Sequence, residues 1–227
     1  MHAAWSFKAS RLADALRGRP SRREQYRSLI AAHAPGRRFA EVGCMWQVHG
    51  EYAFHAATVG AREVIGIDVM TPTPEFTARN ATAAHPIRYE QADVNDPALV
   101  DRIGEIDVLF CAGVLYHMPN PLSTLERLRR LCRETLILAS VTIAEQAVPQ
   151  AAVFLPFLSA AAVRRLGFSP EGLKVGIDTP FDRERTYTNW FWGLTPSALG
   201  AMLGAAGFAV VERYDYRRAV CFVCRAV

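Results

Sequence analysis

Apolar residues in this chain gather into short runs separated by stretches of helical spacing. The runs at 38–42, 63–67, 87–91, 106–111 and 134–141 are rich in β-branched and aromatic side chains, the pattern of buried strands. Between them, 51–59, 74–84, 96–103 and 121–132 place apolar residues on one helical face. Two further helices are expected at 5–17 and 22–33, the second opened by Ser21-Arg-Arg-Glu24, a capping-box pattern. Thr73-Pro74, Asp96-Pro97 and Asn120-Pro121 each set a capping side chain before a proline suited to the first turn of a helix. Thr195-Pro196 does the same for a last helix running to about Ala206, which Gly207 ends. Two β-rich runs follow at 208–214 and 219–226, joined by Asp215 to Arg218 as a hairpin.

Strands alternating with helices over short joins predict an α/β fold, a mainly parallel sheet with helices on both faces. The hairpin makes it seven-stranded with an antiparallel last strand, and the first two helices form an N-terminal extension. A single domain over 1–227 is expected. It divides into a helical cap at 1–36, a ligand-binding core at 37–141, an insertion at 142–193, and a terminal helix with hairpin at 194–227. The insertion breaks the strand-helix rhythm, which suits a lid over a substrate.

Composition narrows the class. The chain is 51% hydrophobic and 21% charged, as globular proteins are. Residues Met1 to Lys8 hold no apolar run, so no secretory leader is expected there. The longest apolar stretch, Ala147 to Val163, is broken by Pro149, Gln150 and Pro156 and falls short of the ~20 residues a membrane helix needs. A cytoplasmic protein without membrane contact is expected. Five scattered cysteines suggest buried small hydrophobes. Cys221 and Cys224 sit in a strand, where residues three apart face opposite sides, and no metal site is expected. The first 38 residues carry nine basic side chains against Asp14 and Glu24, although the whole chain is only +4. That arm is either the solvated face of two helices or a surface for RNA, an acidic substrate or a membrane surface.

In sheets of this kind the ligand lies outside the carboxyl ends of the strands, where the strand order reverses. The residues in those positions are Glu41-Val-Gly43, Asp68, Asp93 and Ala112-Gly113. This series resembles the signature of class I, Rossmann-like S-adenosylmethionine-dependent methyltransferases over about 38–141. The stretch Gly113-Val-Leu-Tyr-His-Met-Pro-Asn-Pro-Leu122 is similar to a segment of the methyltransferase group that modifies wobble uridine in tRNA, and to many small-molecule methyltransferases.

The resemblance implies S-adenosyl-L-methionine as cofactor and gives each position a task. Gly43 and Gly50 let backbone approach the cofactor, with Cys44 in the same loop. Asp68 accepts the ribose hydroxyls, with Val69 beside it; Asp93 accepts the adenine amino group, with Val94 packed on the ring. Glu41 orients the loop or attracts the cofactor's cationic part, and Ala112-Gly113 close the site after the fourth strand. The loop departs from the family pattern: acid-x-Gly-x-Gly-x-Gly is replaced by Glu41-Val-Gly-Cys-Met-Trp-Gln-Val-His-Gly50, longer by about three residues. Met45, Trp46, Gln47 and His49 are therefore expected over the cofactor's methionine end or the acceptor.

Methyl transfer from a sulfonium needs alignment and a dry site more than acid–base help. If a base is used, His117 is the candidate, because an imidazole exchanges protons near neutrality. The other reading of Tyr116-His117 is a pair that packs the loop. For the acceptor, Tyr187-Thr-Asn-Trp-Phe-Trp192 offers Asn189, Trp190 and Trp192, with Trp46 and Tyr116 opposite. A small-molecule acceptor is the first expectation, methylated on oxygen or nitrogen. A tRNA acceptor is the alternative, although Met118-Pro119 stand where the wobble-uridine group has basic residues. A nicotinamide-dependent oxidoreductase needs a G-x-G-x-x-G that the first loop lacks. A non-catalytic binding protein would show no turnover. The sequence assigns no oligomeric state.

Overall fold

The computed structural model describes residues 20–168 and 190–227. The helix expected over 5–17 lies outside them, as does Asn189. The described elements are α1 (Arg22–His33), β1 (Arg38–Val42), α2 (Glu51–Thr58), β2 (Glu63–Asp68), α3 (Pro74–Ala81), β3 (Arg88–Gln91), α4 (Leu99–Ile103) and β4 (Ile106–Ala112). A 3-10 turn, Leu115–His117, leads into α5 (Pro121–Leu131) and β5 (Cys132–Val141). Then come β6 (Ala152–Phe154), α6 (Ala160–Arg165), β7 (Trp192–Leu194), α7 (Pro196–Ala205), β8 (Phe208–Tyr216) and β9 (Ala219–Ala226).

The large sheet has the order β3-β2-β1-β4-β5-β9-β8. Strands β1 to β5 are parallel, and β9 runs against both β5 and β8, as the terminal hairpin predicts. The order reverses between β1 and β4, so the switch point lies at their carboxyl ends.

Alternate strand residues feed two cores. Phe39, Val64, Val108, Phe110, Ile137 and Val223 pack under α1, α2 and α3 with Ile30, Phe54 and Phe76. On the opposite face, Ala40, Ile65, Leu109, Leu136 and Phe222 meet Leu125, Leu128, Leu199 and Leu203 of α5 and α7. Burial on both faces is why these strands read as continuous apolar runs. Each large side chain so buried contributes about 1.5–3 kcal/mol. Cys221 and Cys224 fall in opposite cores, and all five cysteines are free and buried.

The caps follow the sequence in most places. Ser21 and Glu24 form a reciprocal capping box. Thr73, Asn120 and Thr195 each accept an N–H of the first turn, with proline following. Asp96 is the exception: its carboxylate accepts the Ala98 N–H and closes a turn, so α4 starts only at Leu99. At the amino ends of the strands, buried Asp107 accepts the Arg38 N–H at 2.9 Å and pairs with Arg133 at 2.6 Å. That charge is structural and lies at the end of β4 away from the switch point.

The insertion has a core of its own. β6 and β7 pair antiparallel, Val153 opposite Gly193, and Ile143, Leu155, Val163 and Phe168 pack beneath them beside Trp190. Among the described residues no helix is long and apolar enough to cross a membrane. No cluster of three or more His, Cys, Asp or Glu side chains there could hold a metal ion.

Candidate active site

Two glycines mark the switch point. Gly43 ends β1 with φ +75° and donates its N–H to the Ile67 carbonyl at 2.8 Å. Gly113 ends β4 with φ +78° and donates to the Ala139 carbonyl at 3.0 Å. A Cβ on Gly43 would lie 2.5 Å from Cγ2 of Val114, so the loops after β1 and β4 touch here. Only glycine adopts that φ without strain and leaves that space.

Between Gly43 and Gly50 the chain makes a compact excursion. Cys44 and Met45 turn fully inward, Trp46 is 54% exposed, and Gln47 and His49 take left-handed φ of 59° and 47°. Gly50, φ +73°, starts α2, where a Cβ would strike the Phe76 ring at 2.6 Å. His49 is tied down by a 3.0 Å contact from Nδ1 to the Thr73 hydroxyl. Left-handed non-glycine residues store strain, and such loops cluster at functional sites.

Two carboxylates hold this loop. Glu41 faces the α2 side of the sheet, is 1% exposed, and accepts the Ala53 N–H at 2.7 Å. It thus caps α2, whose own cap residue Gly50 has no side chain to do so. Burial pushes the Glu41 carboxyl up to about 8, against the pull of that N–H. Asp68, the last residue of β2, is 8% exposed. Its Oδ2 accepts the Met45 N–H at 2.8 Å and its Oδ1 the Met70 N–H at 3.0 Å. Burial raises its pKa, and those N–H donors oppose the rise.

Farther along the sheet edge, Oδ1 of Asp93 accepts both the N–H and the side-chain amide of Asn95, at 2.8 and 3.0 Å. Its Oδ2 has no hydrogen bond among the described residues. Asn95 also accepts the Thr124 hydroxyl at 2.8 Å, joining the β3 loop to α5. Val69 and Val94, beside the two acids, are buried.

After Gly113 the chain builds an aromatic cluster. The Tyr116 ring lies 4.2 Å from His117 and 4.1 Å from Trp190, centroid to centroid. Trp190 also meets His117 and Phe168 edge-on. The Phe191 N–H donates to the Tyr116 carbonyl at 2.9 Å, and the Trp192 indole N–H to the Pro119 carbonyl at 3.1 Å. The insertion is thereby stitched to the loop after β4.

The structure therefore brings Gly43, Cys44, Asp68 and Gly113 together at the switch point, with Tyr116 beside Gly113, His117 and Trp190 packed on Tyr116, and Trp192 bonded to Pro119 farther along the same loop. Trp46 stands at the loop tip. Two participants escaped sequence reasoning: Val114, which fills the space over Gly43, and Asn95. Asn95 carries a signal after the fact, an Asp-x-Asn spacing suited to an Asx turn.

Comparison with known proteins supports the resemblance. Residues 40–139 match the model of a family described as a methyltransferase domain. A tRNA U34 carboxymethyltransferase of Campylobacter lari is 33% identical over 97 residues, 42% of this chain and 31% of that protein. The chain thus spans about a third of the curated relatives it matches. Among solved structures, a Burkholderia thailandensis 1,6-didemethyltoxoflavin-N1-methyltransferase with S-adenosylhomocysteine and its substrate bound superposes with a TM-score of 0.62. The overlap covers 99% of this chain and 86% of that one at 14% identity. A magnesium protoporphyrin IX methyltransferase from Synechocystis with S-adenosylmethionine bound gives 0.56, covering 90% and 79% at 16% identity. By sequence over 40–139 the chain is similar to a methyltransferase domain, and by fold over most of its length it is similar to methyltransferases crystallised with S-adenosylmethionine or S-adenosylhomocysteine.

Proposed function

We propose that this protein is an S-adenosylmethionine-dependent methyltransferase that methylates an oxygen or nitrogen of a small molecule. The observation that carries the reading is positional: Asp68, Asp93 and Gly113 stand at successive carboxyl ends of β2, β3 and β4, around the point where strand order reverses.

The residues fit the cofactor. Each oxygen of Asp68 uses one lone pair on a backbone N–H and keeps another for a ribose hydroxyl. Oδ2 of Asp93 is an acceptor for the adenine amino group, and Val69 and Val94 supply apolar contact. Glu41 acts indirectly, by holding α2 and the loop in register. Bound S-adenosylmethionine supplies a methyl group on a positive sulfur, which becomes a neutral thioether when an acceptor lone pair takes the methyl. Tyr116, Trp190 and Trp192 wall the acceptor side, and the 142–193 insertion serves as its lid. In this reading His117 takes the proton from an acceptor that carries one.

The partial similarity to tRNA U34 carboxymethyltransferases favours tRNA as the second reading. Met118-Pro119, apolar where that group is basic, supports the small-molecule reading. The test is transfer of labelled methyl from S-adenosylmethionine to a panel of phenols and amines, then to tRNA. Label on tRNA alone would replace the first reading by the second; label on neither would count against both.

A further inference from the structure

We propose that the hydroxyl of Tyr116 is the hydrogen-bond donor that positions the acceptor, and that the acceptor presents an anionic or carbonyl oxygen to it. The inference rests on the methyltransferase reading and names the substrate chemistry of that site.

Tyr116 is only 9% exposed, yet its hydroxyl makes no hydrogen bond among the described residues. A buried phenol that has given up water without gaining a partner is unfavourable, and such groups are the exception in folded proteins. Everything else about the residue is fixed. Its ring packs against His117 and Trp190, which also touch each other, and its carbonyl receives the Phe191 N–H. The hydroxyl oxygen lies 3.5 Å from where a Cβ of Gly113 would sit. Gly113 precedes Val114, which presses on Gly43, so the unused donor is set at the crossing of the β1 and β4 loops.

The chemistry of the partner follows. Burial pushes the Tyr116 phenol up to about 12, so at neutral pH it donates a hydrogen bond and does not act as a base. Tyr116 is thus a positioning donor, and the removal of any acceptor proton falls to another group.

The test uses the protein saturated with S-adenosylhomocysteine, 4-nitrophenolate as the probe, and the Tyr116→Phe variant. Wild type is expected to bind the probe saturably. The variant is expected to bind it about tenfold or more weakly, with its visible band at longer wavelength than on wild type, because the oxygen has lost a donor. S-adenosylhomocysteine affinity should be the same in both, and the variant's Tm should equal or exceed that of wild type, since no protein hydrogen bond is removed. Equal probe affinity and an unchanged band would overturn the proposal. So would a lowered Tm, which would assign the hydroxyl a structural bond, or no saturable probe binding by wild type. Failure of wild type to bind S-adenosylhomocysteine is seen before the probe is added and overturns the methyltransferase reading, and this proposal with it.

Discussion

The Asp68 carboxylate accepts the backbone N–H of Met45 at 2.8 Å, tying the end of β2 to the loop that follows β1. One side chain therefore sets the conformation of the loop and, in the proposed function, also offers acceptors to the cofactor. The two tasks are separable. Asp68→Asn keeps one carbonyl oxygen but loses the second acceptor and the charge, so it should cost about 1–3 kcal/mol of stability. Chemical denaturation followed by Trp46 and the other tryptophans checks this. A variant as stable as wild type would mean that the Met45 and Met70 bonds do not hold the loop.

Glu41 gives the fold a pH dependence of known sign. Its folded pKa, about 8, lies above the ordinary carboxyl value of 4.5, so the folded state holds a proton that the unfolded state has released between those values. Its contribution is complete below about pH 4.5 and is lost as pH rises through 8, with a slope of up to about 1.4 kcal/mol per pH unit. Glu41→Gln should flatten that slope. Thermal midpoints of both proteins from pH 5 to 9 are the measurement, and parallel profiles would contradict the assignment.

Gly43→Ala meets two obstacles, a φ of +75° and Val114 at 2.5 Å. The backbone part alone should cost about 1–2 kcal/mol. Adding Val114→Ala should recover the contact part and leave the backbone part, a non-additivity that a double-mutant cycle by urea denaturation resolves. Strict additivity would show that the loops do not touch.

The thiols should be silent. Cys111, Cys132, Cys221 and Cys224 are each buried and pushed up to about 12 by desolvation, and Cys44 is pushed up as well. Thiolate is the reactive form, so native protein should give no fast reaction with an aromatic disulfide reagent, and all five should react on unfolding. A fast-reacting thiol in the native state would locate an opening the packing does not provide.

Most of the large sheet was legible because burial on both faces writes β2, β4, β5 and β9 as apolar runs, and because Thr73, Asn120 and Thr195 each precede a proline. What was not legible depended on tertiary partners. β6 and β7 pair over only Ala152–Phe154 and Trp192–Leu194, too short for periodicity to register. Asp96-Pro97 has the lettering of a helix start, but the side chain closes a turn. In the site, the acids could be placed from strand ends alone. That Glu41 caps α2 and Asp68 grips Met45 could not, because both bonds join residues far apart in sequence around a loop with left-handed turns at Gln47 and His49, where no glycine announces them. Asn189 falls outside the described residues, and its place beside Trp190 stays a sequence expectation.

The central claim is that this fold holds S-adenosylmethionine at the carboxyl ends of β1 to β4. Calorimetric titration with S-adenosylmethionine and S-adenosylhomocysteine, on wild type and on Asp68→Ala, tests it most directly. The account predicts micromolar binding of both to wild type and a loss of about tenfold or more in the variant. Binding of neither ligand by folded wild type, or equal binding by the variant, would contradict it.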